Sequence, residues 1–158
     1  MPAPTEKGDN MAFKNILVPT DGSEFTKLAI DRAVELAKAV GGTITAIYVI
    51  DHTVFGNIPM DSSVTSVYDM MNKEGHEATA YVKGLCEKNG IEVKELIVEG
   101  SPVKSIVAAS SDSDIIVMGT LGRTGFAKLM MGSVAERVVR YANCPVMVVR
   151  ANSDGDTE

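Results

Sequence analysis

Four glycines fall within fifteen residues of this chain, at 119, 122, 125 and 132 of GTLGRTGFAKLMMGS. Glycine admits positive φ and lets backbone N–H groups come close to a bound group. The apolar run Ile115–Met118 precedes this stretch, and a segment with helical spacing, Val134–Ala142, follows it. Ser133 and Glu136 have the S-x-x-E spacing of a capping box, which predicts a helix start at that point. The first N–H groups of a helix lack intrahelical partners and carry the positive end of its dipole, an arrangement that suits phosphate. Buried strand, glycine loop and helix start together read as a phosphate cradle. Glycine-rich connections also occur where nothing binds, so the loop alone does not decide. It lacks the Gly-Lys-Ser/Thr of a Walker A loop and the spacing of G-x-G-x-x-G. Between Gly119 and Arg140 stand Arg123, Lys128, Arg137 and Arg140 against Glu136 alone. Arg137 and Arg140 can be read as complementing a helix C-terminus, which leaves Arg123, inside the loop, as the phosphate candidate.

The other chemistry-bearing residues are few. Asp21, in Thr20-Asp21-Gly22-Ser23, is either a turn or cap residue or an acceptor for ribose hydroxyls. A phosphoacceptor role fits less well, because no second acidic residue adjoins it. Ser133 as a nucleophile would need a base, and the histidines are His52 and His76. Both read as solvated, and nothing near them completes a triad or a ligand set. Cys86 and Cys144 are far apart with no C-x-x-C, so they read as small apolar residues, neither disulfide-bonded nor metal-bound. The methionines at 60, 70, 71, 118, 130, 131 and 147 read as core and loop packing. No catalytic constellation emerges, so no enzyme is expected.

The elements that must position these residues alternate. Ile16-Leu17-Val18, stopped by Pro19, forms a first strand. Phe25, Leu28, Ala29, Ala33, Leu36, Ala37 and Val40 recur at steps of three and four, an amphipathic helix ended by Gly41-Gly42. Thr43–Ile50 is a second strand, and Asp51–Ser66 lacks periodicity and reads as a loop. A longer helix runs from Val67 through Leu85 to Asn89-Gly90, with Gly75 and Gly84 counting against it. Ile91–Val98 alternates like a strand near an edge. Ser101-Pro102 opens a short helix, with proline at its first position. Ile115–Met118 and Pro145–Val149 are the fourth and fifth strands, separated by the helix from Ser133. Five strands alternating with four helices predict an α/β fold, a parallel sheet with helices on both faces. Winding outward from strand 1 and then reversing gives the order 3-2-1-4-5. Its crevice lies between the C-terminal ends of strands 1 and 4, where Asp21 would face the glycine loop.

Length and charge set the limits. The 158 residues suit one domain over 13–150, with flexible ends at 1–12 and 151–158. A net charge of −6 argues against nonspecific nucleic-acid binding and against an anionic membrane surface. No apolar run reaches transmembrane length, and the N-terminus lacks the apolar core of a signal peptide, so a cytosolic protein is expected.

The chain resembles the universal stress protein family from about Phe13 to Arg150. The resemblance rests on ILVPTDGS (Ile16–Ser23), YVID (Tyr48–Asp51) and CPVMVVR (Cys144–Arg150). It rests above all on G-x2-G-x9-G-(S/T), met by Gly119, Gly122, Gly132 and Ser133. The family's fold is Rossmann-like, of the adenine nucleotide alpha hydrolase kind, and the branch with this pattern binds ATP. The resemblance implies that Asp21 takes the ribose beside Gly119, and that Pro19, Thr20, Val49 and Met118 form the adenine slot. Gly122, Gly132, Ser133 and Val134 would donate to the phosphates, with Mg²⁺ or Mn²⁺ accompanying them. Leu121 stands where some ATP-binding members carry a polar or basic residue, and Arg123 would substitute. ADP and AMP are alternative ligands. The family also implies a homodimer through Pro145–Val149, which removes an apolar edge. The expected role is that of an ATP-binding regulatory stress-response protein. Its rivals are an adenine-nucleotide-processing enzyme and a nucleotide-free interaction module.

Overall fold

The structure, a computed structural model, describes residues 13–56, 58, 59, 61–120 and 131–150. The expected flexible ends, 1–12 and 151–158, lie outside the described residues. In chain order the elements are β1 (Asn15–Pro19), α1 (Glu24–Val40), β2 (Thr43–Ile50), a 3-10 turn (His52–Phe55) and α2 (Ser62–Lys88). They continue with β3 (Val93–Glu99), α3 (Pro102–Ser110), β4 (Ile115–Gly119), α4 (Ser133–Tyr141) and β5 (Val146–Val149).

The strands form one sheet in the order β3-β2-β1-β4-β5, and every pairing is parallel, as the alternation of elements predicts. Strand residues point alternately to the two faces, and both faces are covered. Ile16, Val18, Ile44 and Ala46 pack with Ile30, Ala33 and Ala37 of α1 and with Val82 and Cys86 of α2. Leu17, Ile47, Ile116 and Met118 pack on the opposite face with Ile106 of α3 and with Ala135 and Val138 of α4. β1 pairs with β2 at five positions, from Asn15↔Thr43 to Pro19↔Ile47. With β4 it pairs at two, Ile16↔Ile115 and Leu17↔Ile116, so the crevice side has the shorter ladder.

Three expectations need correction. The loop expected over Asp51–Ser66 is shorter, because α2 begins at Ser62. Asp61 makes the difference: its carboxylate accepts from the N–H groups of Ser63 and Val64 and caps a first turn that has little apolar periodicity. Gly75 and Gly84 do not interrupt α2. A Cβ at Gly75 would stand 2.8 Å from the Tyr48 ring, so glycine is what lets this helix lie against β2. Finally, the methionines divide: Met60 and Met130 lie outside the described residues, and Met71 packs against Tyr48, Ile50 and Ala78. Met118 is buried, whereas Met70, Met131 and Met147 are exposed.

Candidate functional site

The first half of the site is the end of β1. Thr20 extends the ladder by donating its N–H to the Ile47 carbonyl at 2.9 Å. Its buried hydroxyl accepts from the Gly22 N–H at 3.2 Å and lies 3.4 Å from the Thr26 hydroxyl. Asp21 Oδ1 accepts from the Ser23 N–H at 2.9 Å, closing an Asx turn. Gly22 has φ +79, a conformation side chains disfavour, and this allows the chain to enter α1 directly. The turn thus fixes Asp21 at the C-terminal edge of the central strand. This bond matches the reading of Asp21 as a turn residue.

The second half is the end of β4. Met118 and Gly119 are buried, and the Thr120 N–H donates to the Val149 carbonyl at 3.1 Å. The Thr120 carbonyl accepts from the Gly132 N–H at 2.7 Å. The two ends of the glycine-rich connection are therefore joined. Gly132 is the N-cap of α4, and Ser133 is its first helical residue, with no side-chain cap bond. The expected capping box is thus absent: Glu136 lies one position too far along, and it pairs instead with Arg140 at 3.2 Å. The N–H groups of Ser133 and Val134 open the helix at this edge. Arg140 lies in the last turn of α4 as expected, whereas Arg137 does not.

Pro19, Val49 and Met118 share one sheet face, since Leu17, Ile47 and Ile116 two positions earlier point toward α3 and α4. Asp21, Gly119, Gly132, Ser133 and Val134 gather at the C-terminal ends of β1 and β4. Gly122, Arg123 and Leu121 lie outside the described residues. His52 follows β2 and is exposed, 3.9 Å from a Glu99 carboxylate oxygen. His76 is exposed on α2. Cys86 and Cys144 are both free thiols. Burial pushes the Cys86 thiol up to about 11, with a smaller contribution from Glu87.

Two cavities flank this edge. One, of about 570 Å³, lies between α1 and α2 and includes Thr20, Asp21, Lys27, Glu74 and Tyr81 in its walls. The other, of about 740 Å³, lies between α3 and α4 and reaches Ser133. Neither contains Pro19, Val49 or Met118, so the expected adenine slot is not one of these cavities. The α3/α4 groove, with Lys104 in it, was missed from sequence. Its signal was a lysine in the first turn of a helix.

A family model described as the universal stress protein family matches residues 12–150. The chain belongs to the universal stress protein family. This universal stress protein is 39% identical over 145 residues to universal stress protein MJ0531 of Methanocaldococcus jannaschii, covering 90% of this chain and 85% of that one. Its fold is similar to that of UspA from Lactobacillus plantarum, with a TM-score of 0.73 at 26% identity over 89% of this chain and all (100%) of the other. Two more distant structures share the fold. One is a universal stress protein in complex with cAMP, with TM-score 0.60 at 22% identity over 90% of this chain and 100% of that one. The other is an Arabidopsis thaliana family member with AMP bound, with TM-score 0.66 at 18% identity over 89% and 94%. Among the described residues no helix is long and apolar enough to cross a membrane.

Proposed function

We propose that this universal stress protein binds an adenine nucleotide, ATP foremost and ADP or AMP as alternatives, between the ends of β1 and β4. The observation that carries the reading is the sheet order. It reverses at β1, so the C-terminal end of β1, which leads into Thr20-Asp21, neighbours the C-terminal end of β4, where Gly119 stands. The family members holding cAMP and AMP support an adenine nucleotide as the ligand of this fold. In this reading Pro19, Thr20, Val49 and Met118 flank the base, and Asp21 accepts from the ribose. The N–H groups of Ser133 and Val134 meet the phosphates, together with Gly122 and Arg123 from the connection. The Gly132 N–H already has an acceptor in Thr120, so it joins the phosphate donors only if that bond opens. Among the described residues no group of three or more His, Cys, Asp or Glu side chains could hold a metal. In this reading a Mg²⁺ or Mn²⁺ ion is held mainly by the phosphates.

The role is regulatory: ligand binding stabilises one set of contacts, with at most slow hydrolysis. The exposed Met147 on edge strand β5, with Val139 and Tyr141 exposed on α4, supports a homodimer through Pro145–Val149. Titration calorimetry with ATP, ADP and AMP, with and without Mg²⁺, tests the reading. Saturable heat is expected. No heat with any of them at millimolar concentration ends the proposal, and fast turnover replaces the regulatory reading with an enzymatic one.

A further inference from the structure

The groove between α3 and α4 carries charge that the fold does not use. Its walls include Ser101 and Lys104 of the α3 side and Ser133, Arg137, Arg140 and Tyr141 of α4. Arg140 is paired with Glu136, the acidic residue of the same groove. Lys104 and Arg137 have no ion-pair partner among the described residues. Two uncompensated cations across one groove are unexpected in a chain of net charge −6. Lys104 is the more telling. It is the third residue of α3, whose first turn holds no acidic residue. A cation there opposes the helix dipole and works against the helix. An anion in the groove turns both costs into attractions, because it faces two positive side chains at once.

We propose that this groove binds a phosphoryl group, held between Lys104 and Arg137. The group has two possible sources. It is either the terminal phosphate of a nucleotide whose base occupies the crevice, since Ser133 borders both places, or a phosphate carried by a separate molecule. The first source rests on the proposed nucleotide site and the second does not.

The test uses tripolyphosphate as the probe, titrated calorimetrically into the full chain at low ionic strength. Wild-type protein is expected to bind it, more weakly as salt rises. The Lys104→Ala/Arg137→Ala double variant is expected to lose about tenfold or more in affinity. A Lys88→Ala control and an unchanged thermal midpoint separate this loss from misfolding or a general charge effect. If the phosphate belongs to the nucleotide, the double variant weakens ATP about tenfold, leaves AMP unchanged, and ATP displaces tripolyphosphate. If it belongs to a separate molecule, ATP-saturated protein still binds tripolyphosphate, and the variant binds ATP normally. Absence of tripolyphosphate binding, or equal binding by the double variant, overturns the proposal. Failure of AMP to bind defeats the crevice reading alone and leaves the tripolyphosphate arm standing.

Discussion

The backbone N–H of Gly132 donates to the carbonyl of Thr120 across 2.7 Å, joining the first residue after β4 to the N-cap of α4. A strand that leads into a helix by a long connection here has its two ends pinned together. This backbone bond, with Val134 and Ala135 packed on the sheet, holds the opening turn of α4 at the sheet edge. Side chains at Ser133 and Glu136 have no part in it, contrary to what their spacing predicts.

Asp21 has a structural bond and a proposed ligand bond, and two substitutions separate them. Asp21→Asn keeps an acceptor for the Ser23 N–H and should fold like wild type while weakening ATP binding. Asp21→Ala removes the acceptor as well. It should lose about 1.5–3 kcal/mol of nucleotide affinity, the scale of a hydrogen bond to a charged group. Calorimetric titration and thermal melts read the two effects. Unchanged ATP affinity in the alanine variant would remove Asp21 from the ribose.

The two glycines inside α2 should respond in opposite directions. At Gly75 an added Cβ meets the buried Tyr48 ring at 2.8 Å, so Gly75→Ala is expected to cost about 1–3 kcal/mol through overpacking. At Gly84 nothing lies within 4 Å, and Gly84→Ala should stabilise by about 0.5–1 kcal/mol through helix propensity. Urea denaturation of both variants checks the pair. Similar stabilities would show that α2 does not lie against β2 as described.

Asp61 gives α2 a pH dependence. The Ser63 hydroxyl first, then the N–H groups of Val64 and Ser63, hold its carboxyl below the usual carboxylate range. A carboxylate with a depressed folded-state pKa stabilises the protein above its unfolded pKa. That contribution disappears as pH falls through the folded value. Asp61→Ala should therefore melt lower than wild type at neutral pH, and the gap should close in acid. Melting curves followed by circular dichroism would show it, and a gap independent of pH would contradict the cap.

Met147 tests the proposed pairing of copies. It is exposed on β5, at one edge of the sheet. Placing a charge there, as Met147→Asp, should convert a homodimer to a monomer in sedimentation while the circular dichroism of the folded chain is kept, with the unfolding midpoint lowered by the lost association. A wild-type protein that already sediments as a monomer would end that part of the proposal.

The architecture was legible because it depends on patterns with fixed periods. Apolar runs such as Ile16-Leu17-Val18 and Ile115–Met118 mark strands covered on both faces, and alternation with helices leaves few windings. The adjacency of the β1 and β4 ends, after which Asp21 follows and at which Gly119 stands, was legible for the same reason: the strand order dictates which ends meet. The start of α2 was not, because Ser62–Ser66 has Val64 as its one apolar residue and depends on one carboxylate for its first turn. The capping box at Ser133 was misread because the spacing recurs one residue away from the true cap, which is glycine. The place of Gly75 could not be read locally either, since its cause is the ring of Tyr48 on another element.

Because β1 takes one neighbour from the next strand in the chain and the other from β4, beyond β3 and α3, it completes its ladder only after those elements have been made. A nascent polypeptide that has emerged only as far as α3 can assemble β1, β2 and β3. It still leaves the β4 side of Ile16 and Leu17 bare on the ribosome. Translation must pass β4 before that edge is covered.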